Sequence, residues 1–189
     1  MKIRKGKIAD AEQIASLLLL AMEEIAYEFI GEQNQDKAKI FLKAMILHPE
    51  SQYTYSNNWI FELDDEIVGL ALLYDGALLS KLREPVAAYI QNHFGKTFNP
   101  ENETQSGEYY IDCIAVSANH QGKGIGSKIL EFLKGEYALK QGYTLGLLVD
   151  FNNPNAEKLY IREGFKIVGN KKLLGKNLKH LQYHLPPNS

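Results

Sequence analysis

The chain of 189 residues reads as a mixed α/β protein, with strands and helices interleaved around one sheet. Three observations predict this. Segments of alternating hydrophobicity take turns along the chain with segments whose apolar residues recur at helical spacing. The strongest strand, Tyr109 to Val116, runs through a short glycine-rich turn into an amphipathic helix. Hydrophobic residues make up 45% of the chain and no linker, repeat or low-complexity tract divides it, so residues 1–189 are expected to build one domain.

Taken in order, Lys2 to Ile8 alternates and predicts a short first strand. Asp10 is placed as the N-cap of the first helix, with Gln13 as its capping-box partner. Ile14, Leu17, Leu18, Met22, Ile25 and Phe29 fall on the buried face of that helix. A second helix is expected from about Asp36 to Leu47, ended by His48-Pro49. Trp59 to Leu63 and Ile67 to Leu73 predict a hairpin joined through Asp64-Asp65-Glu66. Residues 75–107 then break the pattern: one or two helices between Ala77 and Phe94, interrupted near Pro85, precede a polar stretch to Gly107. This excursion is too short to bury a core of its own. After the Tyr109 strand come a helix from Gly124 to Lys140, a strand from Tyr143 to Val149 and a short helix from Asn155 to Glu163. A strand beginning at Gly164-Phe165 and a last one from Lys179 to Leu185 complete the order. Strands and helices alternating in this way imply a sheet with helices packed on it.

Composition narrows the function. Twenty-one basic residues against 23 acidic ones leave a formal charge of -2, which gives no electrostatic reason to expect nucleic acid or an anionic membrane as partner. The single cysteine, Cys113, excludes an intrachain disulfide and a cysteine-based metal cluster. Met1-Lys2-Ile3-Arg4-Lys5 has the charge of a signal peptide without the apolar run that follows one. No segment approaches the roughly 20 apolar residues that span a bilayer. A cytoplasmic protein without a metal is expected.

The chemistry is concentrated in Ile114-Ala115-Val116-Ser117-Ala118-Asn119-His120-Gln121-Gly122-Lys123-Gly124-Ile125-Gly126-Ser127. Glycines at alternate positions let the backbone adopt left-handed or crowded conformations, and the helix start leaves amides without internal partners. The amides from Gln121 to Ser127, with the positive end of the helix dipole and the mobile charge of Lys123, therefore suit a phosphate or pyrophosphate. A Walker loop needs Gly-x-x-x-x-Gly-Lys-Ser/Thr, which is absent. A dinucleotide fingerprint needs Gly-x-Gly-x-x-Gly, and Ser127 stands where its third glycine belongs.

Gln121-x-x-Gly124-x-Gly126 resembles the Gln/Arg-x-x-Gly-x-Gly/Ala signature of the GNAT superfamily of N-acetyltransferases. Asn153-Pro154-Asn155-Ala156-Glu157-Lys158-Leu159-Tyr160-Ile161-Arg162-Glu163-Gly164-Phe165 resembles that family's Asn-x-x-Ala-x-x-Leu-Tyr-x-x-x-Gly-Phe segment. The resemblance implies a mixed, mostly antiparallel sheet flanked by helices and splayed between its two central strands. It implies acetyl-coenzyme A as co-substrate, with the Gln121 to Ser127 loop on its pyrophosphate and the main chain of Ile114, Ala115 and Val116 paired with its pantetheine arm. By the same resemblance Asn153 contacts the pantetheine and Tyr160 stands near the sulfur as proton donor.

The expected reaction is direct acetyl transfer to the primary amine of a small molecule or peptide in a ternary complex. An amine with a pKa of about 10.4 in water needs a base. In ribosomal-protein N-terminal acetyltransferases of the superfamily a glutamate stands five residues before the motif asparagine, and here that position is Leu148. Glu108 and Asp112 are the candidates, sharing one strand face with Tyr110 by the period of two, and Asp150 is another. Residues 75–107 are expected to insert near the acceptor pocket, where specificity resides. Rival readings are an acyl-coenzyme A sensor of the same fold, a transferase using another acyl donor, and a nucleotide-binding protein. A homodimer is left open.

Overall fold

A computed structural model describes residues 1–185; residues 186–189, the tail of the expected domain, lie outside the described residues. Seven strands form one sheet in the order β1-β2-β3-β4-β5-β7-β6. They are β1 (Lys2–Lys5), β2 (Asn58–Leu63), β3 (Glu66–Asp75), β4 (Tyr109–Val116), β5 (Leu145–Asp150), β6 (Lys166–Leu173) and β7 (Lys176–Tyr183). β1, β2 and β3 are antiparallel neighbours. The β2–β3 turn needs two residues at positive φ, and Asp64 (φ 50°) and Asp65 (φ 63°) supply them with short side chains that tolerate that region. Beside β3 runs β4, with Ser117 N–H donating to Val68 O and Gly76 N–H to Glu108 O, both at 2.9 Å.

β4 and β5 are the parallel pair, and their ladder is brief: Tyr109↔Leu145, Tyr110↔Gly146 and Ile111↔Leu147. β5 then pairs with β7 over six positions, from Leu145↔Tyr183 to Asp150↔Leu178. β6 is the outer strand, bulged between Ile167 and Gly169. Lys166, Lys171 and Lys172 charge this edge against pairing with another chain.

Two compact units share the chain, with two of their five boundaries falling inside β3 and β4. The first comprises Met1–Leu72, Ser80–Asn99 and Cys113–Lys123. Its helices are α1 (Ala11–Ile30), α2 (Gln35–Leu47) and most of α3 (Leu79–Phe94). Ile14 and Leu18 of α1, Phe41, Leu42 and Ile46 of α2, and Ile60 and Phe61 of β2 are fully buried there. Phe29 meets Phe41 edge to face at 6.0 Å. The second unit comprises Leu73–Leu79, Pro100–Asp112 and the chain from Gly124 onward. It holds α4 (Ile125–Leu133) and α5 (Pro154–Arg162) with β5, β6 and β7. Its buried side chains include Ile129, Leu130, Leu133, Leu145, Leu147, Phe165 and Leu181.

Several boundaries differ from the sequence expectation for physical reasons. Asp10 precedes α1 but makes no side-chain cap to it. Its carboxylate is taken instead by Lys7 N–H at 2.7 Å and by the two Arg4 Nη atoms at 2.6 and 2.9 Å. A bidentate guanidinium is the stronger claimant, so the capping box with Gln13 does not form. α3 runs unbroken through Pro85. α1 bends at Met22 (φ -134°, ψ 33°). The helix expected to reach Lys140 is α-helical only to Leu133 and widens into a π turn over Lys134–Leu139.

Candidate functional site

The glycine-rich turn begins where β4 ends. Ser117 opens a short 3-10 turn and its hydroxyl lies 2.8 Å from His120 Nδ1. The Gln121 amide group donates back to Val116 O at 3.1 Å, so this side chain holds the turn against the end of its own strand. Gly122 (φ 73°) and Gly124 (φ 78°) are left-handed, and a Cβ added at either would meet nothing within 4 Å. The backbone conformation therefore requires glycine there, and the space above the loop is open. Gly126 is different: a Cβ there would lie 3.2 Å from Leu159 Cδ2, because α5 packs against the first turn of α4.

Gly124 is the N-cap of α4 and has no side chain to satisfy the helix start. Among the described residues, no protein acceptor takes the amides of Gly124, Ile125, Gly126 or Ser127. Four donors without a protein acceptor thus stand at the positive end of a helix dipole, with exposed Lys123 next to them. This donor set fits a diphosphate. Ile114, Ala115 and Val116 continue β4 past its last parallel pair, Ile111↔Leu147.

Glu108, just before β4, and Asp112, within it, stand in two environments. Glu108 is buried and fully partnered. Thr104 Oγ1 donates to its Oε1 at 2.7 Å, while Gln182 Nε2, at 2.7 Å, and His180 Nε2, at 2.8 Å, reach Oε2. Burial pushes its pKa up, but the hydrogen bonds from His180, Gln182 and Thr104 and the charge at His180 outweigh that and hold it down at about 2. The carboxylate also crosses Gly146 on β5 to reach β7, and a Cβ at that position would collide with it. Glu108 thereby ties the segment entering β4 to β7.

Asp112, two positions beyond Tyr110, is half-buried, and its Oδ2 lies 3.1 Å from the hydroxyl of Tyr74. The same hydroxyl lies 3.1 Å from Glu103 Oε1, and the Tyr74 ring packs edge to face on Tyr110 at 5.8 Å. Two carboxylates thus share one phenol. Sequence reasoning missed Tyr74 and Glu103. Tyr74 sits at the end of a continuous apolar strand and Glu103 in a polar loop, so neither carries a local signal.

Asp150 ends β5 and braces the turn after it: its Oδ1 accepts from Asn152 N–H at 2.8 Å and its carbonyl from Asn153 N–H at 2.9 Å. Asn153 caps α5, its Oδ1 accepting from Ala156 N–H at 3.1 Å. Its amide NH2 makes no protein hydrogen bond among the described residues. Tyr160 is half-buried on α5, with its ring 6.1 Å from that of Phe165. Leu148 pairs with His180 across β5 and β7. Cys113 is buried. Among the described residues, no helix is long and apolar enough to cross a membrane, and no group of three or more His, Cys, Asp or Glu is placed to hold a metal.

Known proteins resemble this chain in sequence and in fold. The model of the acetyltransferase (GNAT) family matches residues 19–165. A solved acetyltransferase structure is 30% identical, with a TM-score of 0.79 over 98% of this chain and 100% of that one. An N-acetyltransferase from Staphylococcus aureus Mu50 is 22% identical and superposes with a TM-score of 0.83, over 97% of this chain and 100% of the other. A Salmonella typhimurium protein described as an acetyltransferase, solved with its cofactor acetyl-CoA, shares the fold at 17% identity and a TM-score of 0.54, over 100% and 96% of the two chains. A search of curated proteins finds no significant match.

Proposed function

The chain belongs to the GNAT family of acetyltransferases, and on that premise we propose that it moves an acetyl group from acetyl-coenzyme A to a primary amine by direct transfer in a ternary complex. One observation carries the cofactor assignment: the amides of Gly124, Ile125, Gly126 and Ser127, at the start of α4, have no protein acceptor among the described residues. Hydrogen bonds from such amides to an anion contribute on the order of 1.5–3 kcal/mol each, enough for four of them to anchor a diphosphate. Asn153 supports the reading with an NH2 group left to donate to an amide carbonyl of the pantetheine arm. The main chain of Ile114 to Val116, past the β4–β5 ladder, is the segment proposed to pair with that arm.

Bound acetyl-coenzyme A supplies an activated acyl carbon and a thiolate leaving group. This chain's residues then manage two protons. Asp112 accepts one from the attacking amine as the new C–N bond forms. Tyr160 donates one to the sulfur as the C–S bond breaks. Of the two candidate acids, Asp112 is proposed for this role because Glu108, held at a pKa of about 2 with both oxygens taken by three donors, is a weak base. Tyr74, hydrogen-bonded to Asp112, orients that carboxylate and links it to Glu103. Residues 100–107, which bring in Glu103, are proposed as part of the acceptor pocket.

Thiol release measured with acetyl-coenzyme A and a panel of amines tests the proposal. Amine-dependent release of coenzyme A, with an acetylated amine as product, is expected. Tight cofactor binding with no release for any amine in the panel would make the protein a sensor instead.

A further inference from the structure

We propose that Arg162, the last residue of α5, is a side-chain ligand of the coenzyme's diphosphate, completing the amide cradle at the start of α4. The inference rests on the cofactor reading above and adds a residue that neither family motif singles out. Arg162 Nη2 donates to Ser127 Oγ at 3.2 Å. Ser127 is also the last of the four open amides, so the guanidinium sits on the cradle itself. What brings it there is the packing of α5 on α4, where Gly126 leaves just enough room for Leu159, one helical turn before Arg162.

The neighbouring charges leave Arg162 available. Glu163, the acid next to it, is paired with Lys134, whose Nζ bonds its carboxylate at 2.9 Å and its backbone carbonyl at 2.9 Å. Burial raises the Glu163 pKa, and Lys134, the Ser127 hydroxyl and the charge of Arg162 bring it below the usual carboxylate range. No acid pairs with the Arg162 guanidinium among the described residues, and its side chain is exposed. From Cys113 to Leu130 the chain contains Lys123 and Lys128 and no Asp or Glu, so nothing on the loop competes with an incoming anion for this cation. A guanidinium beside a row of amides presents the fork geometry that phosphate oxygens accept. Lys123, exposed on the loop, is a mobile point charge; Arg162 is the cation fixed in place by a hydrogen bond.

Calorimetric titration of wild type, Arg162→Gln and Arg162→Lys with coenzyme A and with 3′-dephospho-coenzyme A tests this at two salt concentrations. Arg162→Gln keeps a polar side chain on the same helix face while removing the charge. Its affinity should fall about tenfold to a hundredfold for both ligands alike, with a weaker salt dependence and an unchanged thermal midpoint. Arg162→Lys should recover part of the loss. Unchanged affinity of Arg162→Gln for coenzyme A overturns the proposal while leaving the cofactor reading intact. A loss confined to coenzyme A, sparing the 3′-dephospho form, also overturns it by moving the contact to the 3′-phosphate. Failure of the wild type to bind either ligand would instead refute the cofactor reading.

Discussion

Glu108 reaches its partners on β7 by passing over Gly146, whose missing side chain is the gap that lets a carboxylate from the residue before β4 cross β5. The pairing explains a glycine in a buried central strand, a position where glycine otherwise weakens a sheet. It also turns an acid that looks catalytic in sequence into a staple between strands, with His180, Gln182 and Thr104 as its anchors.

Gly146→Ala should therefore be costly although the change is one methyl group. The carboxylate it meets is fixed by three hydrogen bonds and has nowhere to retreat. A loss of about 1–3 kcal/mol is expected, read as a fall of the urea midpoint without a change in slope. Glu108→Ala should lose a similar amount by stranding the buried donors on His180, Gln182 and Thr104.

The pH dependence of stability follows from the same carboxylate. Its folded pKa, about 2, lies below the value near 4.5 expected when unfolded, so its contribution is complete above pH 4.5. That contribution is lost as pH falls from about 4.5 toward 2. Glu108→Gln should flatten the stability profile in that window. Denaturant midpoints measured at half-unit steps from pH 6 to pH 2 check it; a profile parallel to wild type would contradict the assignment.

Asp112→Asn should lower kcat by about a hundredfold or more, the usual scale for losing a general base. Coenzyme affinity should be unchanged. Tyr74→Phe should lower it less, since the carboxylate stays and only its orienting hydrogen bond goes. Full activity of Asp112→Asn across the pH range would remove it as the base.

Tyr160→Phe should reduce turnover with little change in coenzyme affinity, and the loss should shrink with an acyl donor whose thiol is a better leaving group. Equal defects for good and poor leaving groups would argue that Tyr160 only packs against Phe165.

Much of this was legible in the sequence, and the exceptions have physical reasons. The Gly122 to Ser127 loop was readable because left-handed φ at Gly122 and Gly124 can be written almost only with glycine. Strand-to-helix order was readable from periodicity. Asp10 misled because an N-cap is a local rule, and Arg4 with Lys7 claimed its carboxylate. Glu108, one residue before β4, is held by His180 and Gln182, more than 70 residues away, a partnership with no local trace. Tyr74 and Glu103 were invisible because 29 residues separate two ends of one hydrogen bond. Long-range polar pairs leave no periodic trace.

Gly124→Val should bind coenzyme A at least tenfold more weakly. The left-handed φ of 78° strains a β-branched residue, and the added side chain projects into the open space above the loop. Normal affinity in a folded Gly124→Val protein would show that this space holds no ligand.

The account turns on where the coenzyme's diphosphate docks, and backbone amide proton and nitrogen shifts recorded while coenzyme A is titrated in test it most directly. The largest downfield proton shifts are predicted at Gly124, Ile125, Gly126 and Ser127, the four amides without a protein acceptor. Saturable binding that leaves those four resonances unmoved would contradict the account.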